Sequence, residues 1–92
     1  MTLYLHYKIT VKGKVQGVWF RASTQAKAHE LNLTGFVRNQ ANGDVYIEAE
    51  GMQENLSKLV DWCYVGSPRA EVTEVISEEG EWKDFKTFEI KK

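Results

Sequence analysis

The chain lacks most of the features that would mark it for an unusual environment. Its one cysteine, Cys63, cannot close an internal disulfide, whereas secreted domains of this size generally depend on such bridges. No stretch approaches the ~18 consecutive apolar residues needed to cross a bilayer. The segment Met1-Thr2-Leu3-Tyr4-Leu5-His6-Tyr7-Lys8 has no charged head leading into an apolar run, so no export signal is read there. The triplets Asn32-Leu33-Thr34 and Asn55-Leu56-Ser57 are therefore taken as chance matches to a glycosylation acceptor. A cytoplasmic location is expected. An excess of charge of one sign is also missing: 12 basic and 13 acidic residues leave a net charge of −1. Nucleic-acid binders draw much of their affinity from neutralising phosphates and carry a basic surplus, so neither a nucleic-acid nor a membrane partner is expected. Repeats, linkers and low-complexity tracts are absent too. What remains is ordinary globular material, 42% hydrophobic and 27% charged over 92 residues, which suits a single domain spanning 1–92.

Periodicity gives the elements. Tyr7, Ile9 and Val11 alternate with Lys8, Thr10 and Lys12, predicting a half-buried strand. A turn-prone stretch with two glycines, Gly13 to Val18, leads into a predicted helix from Arg21 to Leu31. Phe20, Thr24, Ala28 and Leu31 form its inner stripe, and Asn32 supplies a left-handed end. A second strand is expected from about Gly35 to Gln40, with Val37 facing opposite to Phe36 and Arg38. The Asn42-Gly43 pair predicts a hairpin through a type I′ turn, which needs positive φ at both central residues. In the third strand Val45, Ile47 and Ala49 point inward, and Tyr46, Glu48 and Glu50 outward. Met52, Leu56, Leu59, Val60 and Cys63 mark a second helix, ended by Gly66 and Pro68. A fourth strand spans about Ala70 to Ser77, with a bulge near Thr73 and Glu74 where the alternation slips. Glu78 to Asp84 reads as an acidic loop, and Phe88 with Ile90 as a short last strand. The order βαββαβ plus a tail strand predicts an α+β two-layer sandwich, an antiparallel sheet with two helices on one face.

The chemistry concentrates where the first loop meets the first helix. Amides at a helix N-terminus lack intrahelical partners, and the helix dipole adds partial positive charge. Gly17 allows close backbone approach. Arg21 opens the helix, where the dipole disfavours a cation by roughly 0.3–1 kcal/mol, a penalty that a bound anion would relieve. A guanidinium can hold two phosphate oxygens at once. Asn39 is brought to the same level by simple geometry. The helix descends about 16 Å at ~1.5 Å per residue, and the following strand climbs about 16 Å at ~3.3 Å per residue. A carboxamide offers both a donor and an acceptor for a water. The loop lacks the GxxxxGK[ST] spacing of nucleotide-binding loops. Cys63 sits on an apolar stripe and reads as core. His6 and His29 are read as singletons without ligand-like partners, so no metal site is expected.

The run Gly13-Lys14-Val15-Gln16-Gly17-Val18-Trp19-Phe20-Arg21, followed by Gly35-Phe36-Val37-Arg38-Asn39 and Gly43-Asp44-Val45, resembles the two signature motifs of acylphosphatases. Ser67-Pro68-Arg69-Ala70-Glu71-Val72 and Phe88-Glu89-Ile90 resemble the rest of that family's pattern, so the resemblance runs from about Tyr7 to Ile90. It implies a ferredoxin-like sandwich that acts as a monomer without metal or organic cofactor. The implied reaction is hydrolysis of the carboxyl–phosphate anhydride of a small acyl phosphate, with inorganic phosphate as product and competing anion. Carried over by position, the backbone of Val15, Gln16, Gly17, Val18, Trp19 and Phe20 with the Arg21 side chain would cradle the phosphate, and Asn39 would orient the attacking water. Asn32 and Asn42 depart from the family's more common Gly and Asp, both turn-compatible changes that bear on stability rather than chemistry. Two rival functions fit the same element order. A non-catalytic phosphate-binding regulatory module would keep the loop and Arg21 without needing Asn39. An RNA-binding domain would echo Gly35-Phe36-Val37 but requires further aromatics on that strand, where Arg38-Asn39-Gln40 supplies none.

Overall fold

Alternating side chains build the first strand of the sheet. In the computed structural model, which describes residues 3–92, strand β1 runs over Tyr4–Lys14 and buries Ile9 and Val11 completely. Helix α1 follows at Phe20–Glu30, strand β2 at Thr34–Asn39, strand β3 at Val45–Met52, helix α2 at Gln53–Val65, strand β4 at Glu71–Gly80 and strand β5 at Phe88–Lys91. The sheet order is β4-β1-β3-β2-β5. Both helices lie on the face that carries Ile9, Val11, Val37, Val45, Ile47 and Ala49, and with Phe20, Ala28, Leu56, Leu59 and Cys63 these residues form one core. Each fully buried Leu, Ile, Val or Phe contributes about 1.5–3 kcal/mol, so this shared core is what holds the helices to the sheet. The α+β ferredoxin-like sandwich is as expected. Burial pushes the Cys63 thiol up to about 12, in keeping with a core role.

Three sequence expectations need correction. The sheet is mixed, because β5 pairs with β2 in parallel, Gly35 opposite Phe88 and Val37 opposite Ile90. The other three pairings are antiparallel, so β4 ends at the edge of the sheet where β2 begins. A chain that crosses there and enters beside β2 has to run with it. The hairpin turn is also different. Gly43 N–H donates to the Gln40 carbonyl at 3.1 Å, which makes Ala41 and Asn42 the central pair, and only Gly43 has a positive φ, at 98°. The Asn42 side chain instead caps the turn, its Oδ1 accepting from the Asp44 N–H at 3.0 Å. A short polar side chain that bonds its own backbone two residues on removes the need for the type I′ conformation.

The third correction concerns the far face of the sheet. Glu48 and Glu50 point away from the helices as expected, yet they are buried, at 6% and 1% exposure. Residues 81–87 cross over them. Glu50 accepts hydrogen bonds from the Lys83 and Phe85 backbone N–H groups and is 2.7 Å from His6 Nδ1. His6 is therefore no singleton. It is a buried ring flanked by Glu50 and, at 2.9 Å from Nε2 but without hydrogen-bond alignment, by Glu48. Burial raises the Glu48 and Glu50 carboxyls, but hydrogen bonds outweigh it and hold both below the ordinary range. The donors are Tyr46 and Lys83 for Glu48, and the Lys83 amide, His6 and the Phe85 amide for Glu50. The expected acidic loop is correspondingly shorter, since Glu78, Glu79 and Gly80 stay in β4, paired with Lys8, Tyr7 and His6. The expected bulge is present: Lys12 pairs with Glu74 and Gly13 with Val72, leaving Thr73 without a partner.

Candidate active site

The segment between β1 and α1 is shaped by two side chains that go down and a backbone that stays up. Val15 and Val18 are buried in the core, at 1% and 6% exposure, while Gly17 between them is exposed. Gly17 (φ 75°) and Trp19 (φ 64°) are left-handed, with Val18 at negative φ between them. Alternating handedness of this kind curls successive amides into a concave nest that suits an anion. Trp19 occupies the N-cap position of α1 with no side-chain cap, and the first turn carries no acidic residue, so the helix N-terminus is left open to a ligand. Among the described residues, the backbone N–H groups from Val15 to Phe20 donate to no other group of the chain.

Side chains from elsewhere hold this loop in place. The Gln16 side-chain Nε2 donates to the Gln40 carbonyl at 2.8 Å and the Asp44 carbonyl at 2.9 Å, tying the loop to the β2–β3 turn. The Ser67 hydroxyl donates to the Val18 carbonyl at 2.7 Å from the segment after α2. Lys12 Nζ lies 2.8 Å from Asp44, and its hydrogen bond to that carboxylate holds its pKa above the ordinary lysine value. Phe20 is fully buried with its ring 5.3 Å from that of Trp62, which anchors the loop's far end.

Arg21 and Asn39 meet in one pocket of about 450 Å³. Val15, Gly17, Trp19 and Phe20 line it from the loop; Ala22 and Ile90 close the other side. Arg21 Nη1 donates to the Lys91 carbonyl at 3.1 Å, so β5 steadies the guanidinium. Asn39 Oδ1 is buried and has no hydrogen-bond partner in the chain. An unpaired buried carbonyl of this kind costs about 1–3 kcal/mol. Arg21 is the only cation among the lining residues. Chemically, the pocket offers a ring of amide donors, one fork-shaped cation and one carboxamide, the set needed to hold a tetrahedral oxyanion beside a water.

Of the sequence-predicted site residues, Val15, Gly17, Trp19, Phe20, Arg21 and Asn39 line this pocket. Gln16 and Val18 do not line it; the Gln16 side chain is a brace and the Val18 side chain a core plug. Sequence reading missed the parts played by Ser67, the Lys12–Asp44 pair, the Lys91 carbonyl, Ala22 and Ile90. Ser67 lay inside a motif already singled out, but nothing in its sequence neighbourhood names Val18 as its partner. No group of three or more His, Cys, Asp or Glu side chains among the described residues is arranged around a common metal position, and no helix there is long and apolar enough to cross a membrane.

Comparison with known proteins points one way. The family model described as Acylphosphatase matches residues 7–90. An acylphosphatase of Marinobacter nauticus is 49% identical over 85 residues, covering 88% of this chain and 92% of the relative. A solved acylphosphatase structure from Coxiella burnetii superposes with a TM-score of 0.93 at 41% identity, covering 96% of this chain and 93% of that one. One from Bacillus subtilis gives the same TM-score at 37% identity, over 96% and 99% of the two chains.

Proposed function

The chain belongs to the acylphosphatase family, an enzyme family of acyl-phosphate hydrolases, and from that membership we propose how its own residues divide the work. The phosphate of the substrate sits in the nest of the Val15–Phe20 amides and is gripped by the Arg21 guanidinium. The Asn39 carboxamide hydrogen-bonds a water and aims it at phosphorus. The water oxygen forms a bond to phosphorus as the bond from phosphorus to the acyl oxygen breaks, and that oxygen leaves with the electron pair as a carboxylate. The water's proton passes to a phosphate oxygen of the substrate, since no carboxylate or histidine lines the pocket. The products are a carboxylate and inorganic phosphate.

One observation carries this reading: Asn39 lines the same pocket as Arg21 and the loop. A module that only binds phosphate needs the loop and Arg21 but has no use for a carboxamide beside them. Preorganised donors aimed at developing negative charge are usually the largest single contribution to catalysis, and holding the water in place adds the advantage of proximity. The reading takes the protein as a monomeric enzyme of the cytoplasm acting on small molecules; its lone buried cysteine supports the location and its balanced charge the small-molecule partner. The decisive measurement is continuous hydrolysis of benzoyl phosphate with inorganic phosphate as competitor. Turnover with competitive inhibition is expected; saturable phosphate binding without cleavage of the anhydride would instead establish the regulatory module.

A further inference from the structure

We infer that Trp19, Ala22 and Ile90 form an apolar shelf for the acyl half of the substrate, so that the preferred substrates are acyl phosphates with neutral, bulky and preferably aromatic acyl groups. This rests on the function proposed above.

The phosphate requirements leave these three side chains without a task. The anion is held by backbone amides and Arg21, and neither an indole, a methyl nor a sec-butyl group contributes to that grip. Yet all three line the same pocket as Arg21 and Asn39. Trp19 is the most conspicuous. Its side chain is 79% exposed, whereas its neighbour Phe20 is buried and packed on Trp62. Its left-handed backbone turns the indole out of the core, and among the described residues no ring or cation stacks on it. Ile90 is a second large apolar side chain left 41% exposed. It faces the helix side of the sheet, because its register partner Val37 is in the core. The pocket volume of about 450 Å³ falls in the range of sites for organic ligands, beyond what a bare tetraoxoanion fills.

The charges nearby sharpen the class. Arg21 is the only cation lining the pocket, and the phosphate uses it. Four other cations of this end of the molecule are turned elsewhere. Lys12 is on Asp44 and Lys14 lies 4.0 Å from Glu71. Lys91 Nζ sits 4.3 Å over the Phe36 ring on the far face, and Arg38 lies over Tyr46. An acyl group bearing its own carboxylate or phosphate would meet no second cation in the pocket lining, while a neutral aromatic ring would meet an exposed indole and an aliphatic chain.

The test compares kcat/KM for benzoyl, acetyl and succinyl phosphate in the wild type, Trp19→Ala and Ile90→Ala, with Arg21→Gln as control. In the wild type, succinyl phosphate is expected to be the poorest of the three. Trp19→Ala is expected to lower the benzoyl-to-acetyl ratio about tenfold, the scale of discrimination one apolar contact supplies. Loosening of the phosphate loop would lower both rates together and cancel in the ratio. Ile90→Ala, outside the loop, should lower the ratio in the same direction by a smaller factor, and it decides the matter if Trp19→Ala does not fold. Ratios within twofold of wild type, or succinyl phosphate hydrolysed as well as benzoyl, would overturn the shelf. If the ratios hold but Arg21→Gln is inactive, only the shelf falls. Full activity in Arg21→Gln removes the phosphate site itself and the inference with it.

Discussion

The hydroxyl of Ser67 donates a 2.7 Å hydrogen bond to the carbonyl of Val18, fastening the chain beyond α2 to the anion loop from 49 residues away. Both residues are buried, at 2% and 6% exposure. Gln16 makes the matching connection on the other side, to the β2–β3 turn. A loop held from two directions keeps its amides aimed without reorganisation during the reaction, which is the condition for strong electrostatic stabilisation. In Ser67→Ala the Val18 carbonyl is left buried and unpaired, so a stability loss of about 1–3 kcal/mol is expected. Because the loop loosens as well, kcat/KM on benzoyl phosphate should fall by about tenfold. Thermal unfolding and steady-state kinetics on one preparation check both. A variant with lowered stability and full activity would show that the bond only supports the fold.

Arg21 and Asn39 are expected to act on the transition state rather than on folding. Arg21 is partly exposed and bonded only to the Lys91 carbonyl, and Asn39 has an unmet acceptor. Neither truncation removes core packing. Arg21→Gln and Asn39→Ala should each reduce kcat by about 10²–10³, with circular dichroism and unfolding midpoints near wild type. Arg21→Lys keeps the charge but loses the two-oxygen fork, so it should recover only part of the loss. Wild-type turnover in either folded truncation would end the assignment.

How far the sequence could be read depends on how local each cause is. The strands, both helices and the Thr73 bulge follow from alternation and helical spacing within a few residues, and the meeting of Arg21 with Asn39 follows from element lengths alone. What escaped reading was set by distant partners. Glu48 and Glu50 look like solvent-facing strand residues because nothing near them announces that residues 81–87 will lie on top, with Lys83 and Phe85 donating to Glu50. His6 looked isolated because its partners are more than 40 residues away. The parallel pairing of β5 was hidden because its direction is set by where β4 ends, not by its own four residues. The turn misled for the opposite reason. Asn42-Gly43 has two local solutions, and the Asn42–Asp44 hydrogen bond selects the one without positive φ at Asn42.

The buried carboxylates predict the acid limb of stability. Both Glu48 and Glu50 are held below the ordinary carboxyl value of 4.5 in the folded state. A depressed folded pKa means that the unfolded chain takes up the proton first. The stabilising contribution is therefore complete above about pH 4.5 and is lost as pH falls through the lower folded values. Urea unfolding followed from pH 7 to pH 3 should show a midpoint that declines below about pH 4.5. Glu50→Gln should flatten that decline. It should also lower the pH 7 stability by about 1.5–3 kcal/mol, since Glu50 is the shared acceptor for two backbone amides and His6. An unchanged acid limb in Glu50→Gln would place the acid sensitivity elsewhere.

Gly17 and Gly35 look alike in the sequence but are constrained in opposite ways, and paired alanine substitutions separate them. A Cβ on Gly35 would lie 1.8 Å from the Glu48 carbonyl oxygen, with φ at 144°. No flexible side chain can yield there, so β2 must shift against β3 while its amide still serves the Thr87 carbonyl at 2.8 Å. Gly35→Ala is expected to cost about 3 kcal/mol or more, which at roughly 4–8 °C per kcal/mol is a large fall in Tm for a domain of this size. At Gly17 a Cβ meets nothing within 4 Å, and the only penalty is the left-handed φ of 75°. That conformation costs a non-glycine residue about 1–2 kcal/mol. The added methyl, however, stands in the open space over the amide nest where the phosphate is proposed to sit. Gly17→Ala should therefore lose only the conformational ~1–2 kcal/mol, less than Gly35→Ala, while inhibition by inorganic phosphate weakens at least about tenfold, a loss of ~1.4 kcal/mol in binding. Measuring Tm and the phosphate inhibition constant on both variants gives opposite signatures. If Gly17→Ala binds phosphate as tightly as wild type, the anion does not contact the loop backbone at Gly17.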